Sequence, residues 1–273
     1  MKLAVLGAGN MGGAMLGGAL KARVALPEDI VATVRSEAHA ADLRARYGVR
    51  ATAGGNAEAA AGADVIMLAV KPDYLAKVVK EIAPSLRPDR ILISLAAAMP
   101  LRVIESNAGI ELAVFRAMPN IPVVVEEGAI GLTANKHATA EQRELVERLF
   151  RAVGVVCWVE EDMMDAVTAL SGSGPAYIYM VIEAMIAGGL KMGLSRDIST
   201  RLAEQTVLGA AKLVRETGLH PAVLRDQVIT PGGVTIAAIH ELERHGLRAM
   251  LISAIETATI HSRRRANALG DNQ

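Results

Sequence analysis

Two glycine-rich stretches of this chain combine residue types and spacings that could bind charged ligands. The first is GAGNMG, residues 7–12, which fits the pattern GxGxxG, and the second is PGGVT, residues 231–235. Each precedes a helical pattern, and free N–H groups at a helix start can bind a carboxylate or a phosphate. Thr235 adds a hydroxyl that can donate or accept a proton. An alternative interpretation of the second stretch is a simple turn with Thr235 as the helix N-cap.

The first stretch follows a short apolar run, Leu3 to Leu6, so the glycines lie between a predicted strand and a predicted helix. In that context Gly7 allows a tight turn and Gly9 lets a pyrophosphate approach the backbone. Gly12 lets the helix and the strand pack closely. The pattern therefore predicts a dinucleotide-binding site.

The next predicted strand, Ile30 to Val34, indicates which dinucleotide is bound. An NAD site usually carries Asp or Glu at the end of this strand, about 20 residues beyond the glycines, to bond the ribose 2′-hydroxyl. Here the strand is followed by Arg35 and Ser36, and an arginine beside a hydroxyl suits a 2′-phosphate. We therefore expect NADPH rather than NADH. The alternative is that Arg35 is a solvated loop residue.

Further apolar runs alternate with helical patterns up to Val159, which predicts one doubly wound, Rossmann-type α/β domain over residues 1–160. The runs predict strands at 65–70, 91–95, 113–115 and 155–159, and a strand pair within 123–132. Ligands lie at the carboxyl ends of such strands, so we expect Lys71 at this edge. Small residues after the predicted strand at 91–95, including Ala97, would let a cofactor pass close to the backbone.

The second half of the chain has a different sequence pattern, with helical periodicity and no strand pattern after residue 160. It predicts an all-helical domain over residues 161–273. The predicted helix at 176–190 is apolar nearly all round, so it must be buried on every side. A few helices totalling ~110 residues bury such a helix poorly by themselves. We therefore predict dimerisation through this domain.

Composition narrows the function classes. Basic and acidic residues are equal in number, 29 each, so the net charge does not attract the whole protein to nucleic acid or anionic lipid. Aromatic residues are only 3%, so a ligand site built on ring stacking is not expected. The single cysteine, Cys157, excludes an internal disulfide and fits a reducing compartment. We expect it to be a buried strand residue. The histidines lack metal-binding spacing, so no metal is expected. No signal segment and no apolar run of ~18 residues is visible, which predicts a cytoplasmic protein.

Five motifs together resemble one family, pyrroline-5-carboxylate reductase, the last enzyme of proline biosynthesis. They are GAGNMG, AVKP at 69–72, RAMPN at 116–120, MDAVTALSGSGPAY at 164–177 and DQVITPGGVTI at 226–236, in family order. The resemblance covers nearly the whole chain. It implies that NAD(P)H reduces the cyclic imine 1-pyrroline-5-carboxylate to L-proline. It also implies a homodimer or larger assembly built through the helical domain.

The resemblance implies roles for individual residues on the cofactor side. The glycine stretch would hold the pyrophosphate, the residues after the second strand the adenosine ribose or its phosphate, and four others the nicotinamide half. In that order they are Gly7, Gly9, Asn10, Met11 and Gly12; Arg35 and Ser36; and Asn56, Val70, Lys71 and Ala97. Pro72 and Asn120, in the AVKP and RAMPN motifs, complete the predicted cofactor set.

On the substrate side, the resemblance implies that backbone N–H groups of Gly232, Gly233 and Val234 bind the substrate carboxylate. Thr235 would belong to the same loop and bond the ring nitrogen as the catalytic residue. The remaining expected contacts flank the substrate or form the wall beside it, and they are Glu161, Gln227, Ser173 and Pro175.

Three positions depart from the family pattern. Ile121 stands where the family usually has threonine, which removes one polar cofactor contact. Ala98 stands where glycine is frequent and crowds the cofactor edge. Gln227 stands where asparagine or another polar residue also occurs.

Two alternative functions remain to be compared with the reductase. A β-hydroxyacid dehydrogenase would carry a catalytic lysine with an asparagine four residues on, but Lys191 is followed by Ser195 and Lys212 by Glu216. A non-catalytic NADPH-binding sensor would not need the SGSGPAY and TPGGVT motifs.

Overall fold

The computed structural model describes residues 1–271 of the chain, and one eight-stranded sheet forms its centre. The strands are β1 (Leu3–Leu6), β2 (Ile30–Val34), β3 (Arg50–Ala53), β4 (Val65–Leu68), β5 (Ile91–Ser94), β6 (Ala113–Met118), β7 (Gly128–Ala134) and β8 (Gly154–Trp158). Their order is β3-β2-β1-β4-β5-β6-β7-β8, and only the β6–β7 pair is antiparallel. This confirms the predicted doubly wound, Rossmann-type sheet.

Twelve α-helices are described. In the sheet region they are α1 (Asn10–Lys21), α2 (Glu37–Tyr47), α3 (Asn56–Ala61), α4 (Pro72–Ile82), α5 (Leu101–Ala108), α6 (Ala140–Arg151) and α7 (Met164–Val167). After a π-helical turn over Thr168–Gly172 come α8 (Gly174–Lys191), α9 (Arg196–Thr217), α10 (Pro221–Gln227), α11 (Val234–Arg244) and α12 (Leu247–Asp271). The described part of the chain after β8 contains helices and loops but no strand, as predicted.

The sheet is covered on both faces, because neighbouring residues of a strand point to opposite sides. In β1, Leu3 and Val5 belong to one buried cluster, which contains residues of α1, α2 and α6. Ala4 and Leu6 belong to a second cluster, which contains residues of α3, α4 and α5. A strand buried on both faces reads as a continuous apolar run, which is why β1, β4 and β5 were visible in the sequence.

The chain divides into two compact units. The sheet unit comprises Met1–Ser173 together with Glu256–Gln273, and the helical unit comprises Gly174–Ile255. In the helical unit only Ser199 and Ala203 are buried, and no residue of α8 is buried. A single chain therefore does not supply the burial that the apolar α8 sequence calls for. No described helix is both long enough and apolar enough to span a bilayer.

These units follow packing, whereas the predicted boundary at residues 160 and 161 follows the end of the strand pattern in the sequence. That boundary stays a prediction.

Three details differ from the sequence predictions. Residues 123–132 do not form a strand pair: a 3₁₀ helix, Ile121–Val125, precedes β7, because Pro122 favours a helical start and Glu126 adopts a left-handed conformation that ends it. The edge strand β3 was not predicted, since three of its four residues are exposed and form no apolar run. Cys157 lies on a strand as predicted, but it is exposed, because β8 is the other edge of the sheet.

Candidate active site

The predicted cofactor residues come together at one edge of the sheet, where β1, β2, β4, β5 and β6 end. Gly7 to Gly12 follow β1, Arg35 and Ser36 follow β2, residues 70–72 follow β4, Ala97 follows β5, and Asn120 follows β6. Asn56 opens α3 after β3. In an open parallel sheet the carboxyl ends of the strands form the ligand crevice, at the point where the strand order reverses. Here that point is β1, with β2 on one side and β4 on the other.

Two of the three glycines in the first stretch, Gly7 and Gly12, have a steric reason to be glycine. Gly7 has a φ of +78°, and a Cβ there would lie 2.5 Å from Val70 Cγ1. A Cβ on Gly12 would lie 2.9 Å from Ala69 Cβ, so this glycine lets α1 pack on the strand ends. At Gly9 a Cβ would meet only the Gly7 carbonyl oxygen, at 4.0 Å. Gly9 therefore leaves open space toward which a ligand can approach.

The start of α1 is suited to an anion. Its N-cap is Gly9, which provides no side-chain hydrogen bond, and its first turn contains no acidic residue. The N–H groups of the first turn and the positive end of the helix dipole are thus left for a ligand. Together with the open approach at Gly9, this geometry fits the pyrophosphate of a dinucleotide.

A hydrogen-bond chain fixes Asn56 relative to the glycine turn. Gly7 N–H donates to Thr33 Oγ1 at 3.1 Å, and Thr33 Oγ1 donates to Asn56 Oδ1 at 2.7 Å. Asn56 Nδ2 donates to Glu81 Oε2 at 3.1 Å. Thr33 was not among the predicted site residues; its signal in the sequence is a hydroxyl inside the apolar run Ile30 to Val34, and the structure shows that it is buried.

At the end of β2, the two residues expected near the ribose have different surroundings. Arg35 is exposed. Ser36 is the N-cap of α2, and its Oγ accepts from His39 N–H at 3.4 Å. The guanidinium is thus accessible to a phosphate, while the serine hydroxyl retains its own proton to donate.

The residues expected around the nicotinamide half line the ends of β4 and β5. Val70 and Pro72 are half-buried, and Lys71 is the exposed N-cap of α4. Ala97 is half-buried. Its neighbour Ala98 is buried with a φ of +55°. A left-handed conformation costs a non-glycine residue about 1–2 kcal/mol, which explains why glycine is favourable at that position.

Asn120 makes two hydrogen bonds within the protein. Its Nδ2 donates to the Ser171 carbonyl at 3.0 Å, and its Oδ1 accepts from Ala129 N–H at 2.9 Å. It joins the end of β6 to the π-helical turn and to β7. The following residue, Ile121, is exposed at the start of the 3₁₀ helix.

The second glycine stretch forms the connection from α10 to α11. Gly232 has a φ of +69°, and Gly233 is the N-cap of α11 without a side-chain hydrogen bond. No acidic residue lies in the first turn of α11. Thr235 is the second residue of the helix and not its N-cap, so its half-buried hydroxyl does not serve that purpose. Gln227 is exposed at the end of α10.

The remaining expected substrate residues lie on either side of the π-helical turn. Glu161 precedes α7, and its Oε1 accepts from Leu101 N–H at 2.5 Å. Ser173 follows the π-helical turn, and its N–H donates to the Thr168 carbonyl at 2.9 Å. Pro175 lies in the first turn of α8. Isolated π-helical turns are frequent at functional sites.

The structure gives no cluster of three or more His, Cys, Asp or Glu residues suited to a metal ion among residues 1–271.

Comparison with known proteins identifies the family. A pyrroline-5-carboxylate reductase from Methanosarcina acetivorans is 42% identical over 262 residues, which cover 96% of this chain and 97% of that protein. This chain belongs to the pyrroline-5-carboxylate reductase family. The family model described as pyrroline-5-carboxylate reductase dimerisation matches residues 161–265. A second model, NADP oxidoreductase coenzyme F420-dependent, matches residues 2–98.

Solved structures of pyrroline-5-carboxylate reductases share the fold over the whole chain. The enzyme from Coxiella burnetii is 38% identical with a TM-score of 0.91, and the match covers 97% of this chain and 98% of that one. The Plasmodium falciparum enzyme, solved with NADP bound, is 31% identical with a TM-score of 0.88, at the same coverage. The family named from the motifs is therefore confirmed.

Proposed function

We propose that this chain reduces the C=N bond of 1-pyrroline-5-carboxylate to L-proline, the last step of proline biosynthesis, with NADPH as the preferred cofactor and NADH possible. The observation that carries the proposal is the pair of glycine-built helix starts, at α1 and α11, that lack both a side-chain cap and an acidic first turn. The reaction brings together a cofactor pyrophosphate and a substrate carboxylate, and each is an anion that such a helix start can bind.

On the cofactor side, the steric pattern at Gly7, Gly9 and Gly12 supports pyrophosphate binding, with Asn10 and Met11 in the same turn. The exposed Arg35 guanidinium supports recognition of a 2′-phosphate, with Ser36 beside it. Asn56, the AVKP residues 70–72, Ala97 and Asn120 complete the proposed cofactor site. When bound, the nicotinamide supplies the hydride, and the protein supplies position.

On the substrate side, the proposed carboxylate donors are the N–H groups of Gly232, Gly233 and Val234. The proposed role of Thr235 is to hydrogen-bond the ring nitrogen and orient the C=N bond. Glu161, Ser173, Pro175 and Gln227 are proposed to surround the substrate. Hydride transfer to a protonated imine needs little further acid–base chemistry. Orientation of the two reactants therefore accounts for most of the rate acceleration that the protein provides.

The chain is also proposed to act as a homodimer or larger homo-oligomer in the cytoplasm, with residues 161–273 as the substrate-binding and dimerisation domain. Large apolar side chains exposed in α8 and α9, such as Met180 and Leu208, support the assembly. The match of residues 161–265 to a dimerisation model supports it independently. A reducing compartment agrees with the single cysteine.

The experiment that tests this function follows NADPH absorbance with and without 1-pyrroline-5-carboxylate, and assays proline as the product. We expect oxidation only with the imine, and slower oxidation of NADH. The matched substrate is 1-pyrroline, which lacks the carboxylate and should be reduced poorly. NADPH binding without turnover would instead indicate the sensor, and turnover of a hydroxyacid would indicate the dehydrogenase.

A further inference from the structure

A buried arginine in the sheet unit, which has no role in the proposed site, lies near two carboxylates. Arg116, in the RAMPN motif near the end of β6, is 3% exposed. Its Nη1 lies 3.9 Å from Glu161 Oε1. Burial lowers the pKa of Arg116, and the negative charges of Asp165 and Glu161 oppose that shift. Asp165 Oδ1 in turn accepts from Ser262 Oγ at 2.6 Å. We call Arg116, Glu161, Asp165 and Ser262 the Arg116 cluster.

The cluster reaches the proposed nicotinamide wall through Glu161. Helix α5 begins after Pro100, an N-cap that has no side-chain acceptor. The missing acceptor is supplied by Glu161, whose Oε1 binds the N–H of Leu101, the first residue of α5. The segment 97–100 immediately precedes this helix start and contains the proposed cofactor contact Ala97. The hydrogen bond from Leu101 to Glu161 thus fixes the end of the segment 97–100.

The cluster also reaches the proposed substrate wall through Asp165. This residue lies in α7, which leads into the π-helical turn over Thr168–Gly172 and then to Ser173. The turn packs against the end of β6, since a Cβ on Gly172 would lie 2.6 Å from Met118 Cε. The Arg116 cluster therefore contacts the segment before α5 through Glu161 and includes Asp165 of the segment leading to Ser173.

A second buried arginine shows what a structural arginine looks like in the same sheet. Arg90, before β5, is 4% exposed; it pairs with Asp64 at 3.3 Å and donates to the Ala61 carbonyl at 3.5 Å. In the described structure each of the two arginines has one buried nitrogen without a hydrogen-bond partner, Nε of Arg90 and Nη2 of Arg116, but Arg116 makes no such backbone contact. Burying a charge is costly unless it is paired, so the carboxylates are the groups that keep Arg116 in place.

We propose that Arg116 is a positioning residue for the reduction: it pairs with Glu161 and so holds the segment before α5, and its charge attracts Asp165, which lies in the helix leading to Ser173. The proposal rests on the proposed function for its kinetic consequences. It does not require Arg116 to touch the substrate or the cofactor. Arg116 belongs to the RAMPN motif but is not among the proposed cofactor or substrate contacts.

The test compares Arg116→Met with Arg116→Lys and with the matched control Arg90→Met. We expect Arg116→Met to lower kcat about tenfold through misplacement of the reacting groups, while the NADPH dissociation constant measured by fluorescence stays near the wild-type value. Arg116→Lys keeps the charge but not the planar fork, so its kcat should be intermediate. Arg90→Met should lower the melting temperature and leave kcat unchanged.

A double-mutant cycle with Glu161→Gln decides whether Arg116 acts through Glu161. If it does, the double variant loses no more kcat than the more impaired single variant, because coupled residues are not additive. Multiplicative losses, or wild-type kcat in Arg116→Met, would overturn the proposal. If Arg116→Met does not fold, the same cycle is run with Arg116→Lys, and the same outcomes apply.

A readout without substrate separates this proposal from the proposed function. Hydrogen exchange at the start of α5 should be faster in Arg116→Met than in wild type and in Arg90→Met. Unchanged protection of the Leu101 amide would refute the positioning role even in an active enzyme. A wild-type chain that does not reduce the imine, but whose α5 start loses protection in Arg116→Met, would refute the function and leave the positioning role standing.

Discussion

The sheet unit and the helical unit differ in how much apolar surface each covers by itself. In the sheet unit, strands β1, β4 and β5 are buried along their whole length by helices on both faces. In the helical unit, Gly174–Ile255, burial is limited to Ser199 and Ala203. Apolar burial is the main stabilising contribution to folding. The sheet unit buries its apolar surface within one chain, whereas the helical unit leaves most of its apolar surface uncovered.

The two glycine-built helix starts differ in the same way. Around α1, Gly7 is fixed against Val70 and Gly12 against Ala69, so packing defines the turn. Before α11, a Cβ on Gly232 would meet nothing within 4 Å, and a Cβ on Gly233 would meet only Thr230 of the same loop. The proposed anion site of the sheet unit is therefore packed against distant parts of that unit, whereas the proposed site of the helical unit is shaped by contacts within one loop.

The largest expected effect comes from placing charge on the uncovered helices. Met180→Asp combined with Leu208→Asp puts carboxylates on side chains that are 69% and 60% exposed in the single chain. If a partner covers them, the variant should be monomeric and inactive, because burying an unpaired charge is prohibitive. Light scattering after size exclusion and the NADPH assay measure both outcomes.

The matched control is Leu26→Asp, which alters a 53% exposed side chain of the sheet unit. It should keep the wild-type mass and rate. Wild-type assembly in the double variant would show that the helical unit does not need these side chains covered.

A smaller effect is expected from substitution of Thr235, which should lower kcat without weakening cofactor binding. Thr235→Ala should lower kcat about 10- to 100-fold, the scale of losing one oriented hydrogen-bond donor, with NADPH affinity and assembly unchanged. Thr235→Ser keeps the hydroxyl and should retain most of the rate. Steady-state kinetics with 1-pyrroline-5-carboxylate provide the measurement, and a wild-type rate in Thr235→Ala would remove this residue from the mechanism.

Two glycine substitutions in the sheet unit should separate cofactor binding from stability. Gly9→Ala has room for its methyl group within the protein, so the melting temperature should be unchanged, while NADPH affinity falls about tenfold because the pyrophosphate can no longer approach the backbone. Gly12→Ala should instead lower the melting temperature, because its Cβ would contact Ala69 Cβ at 2.9 Å. Calorimetry and fluorescence titration distinguish the two. Equal losses of stability in both variants would contradict these separate roles.

The smallest effect is a pH dependence at the edge of the sheet. Trp158 Nε1–H donates to Glu147 Oε2 at 2.8 Å, and this bond, helped by the charge of Arg151, lowers the pKa of Glu147 below its ordinary value of 4.5. A lowered folded-state pKa stabilises the fold above pH 4.5, and that stabilisation is lost as the pH falls through the lowered pKa.

Trp158 is the only tryptophan, so urea unfolding followed by its fluorescence reports on the same contact. The difference in unfolding free energy between wild type and Glu147→Gln should shrink as the pH falls below 4.5. A difference that stays constant with pH would show that the Glu147 carboxylate charge does not stabilise the fold.

Much of the sheet unit could be predicted from sequence because its signals are local. The apolar runs of β1, β2, β4 and β5, and the strand–turn–helix context of Gly7 to Gly12, follow from burial and turn geometry alone. Ser36 and Gly48 bound α2, which spans the predicted residues 37–47. The family motifs supplied the rest of the candidate site.

What could not be predicted depends on contacts between distant residues. Glu161 accepts from Leu101, which is 60 positions earlier in the chain, and no spacing rule connects them. Thr33 and Arg116 are polar residues inside apolar strands whose partners appear only in three dimensions. The exposure of Cys157 follows from the position of β8 at the sheet edge, which strand patterns do not reveal.

Helix α12 begins in the helical unit and ends in the sheet unit. Its later part contributes the Ser262 bond to Asp165 and the Arg265 bond to Asp73, and Leu269 packs against the second core cluster. The sheet unit is thus discontinuous along the chain. Because synthesis on the ribosome proceeds from the amino terminus, this unit cannot acquire these contacts before Leu269 has been added.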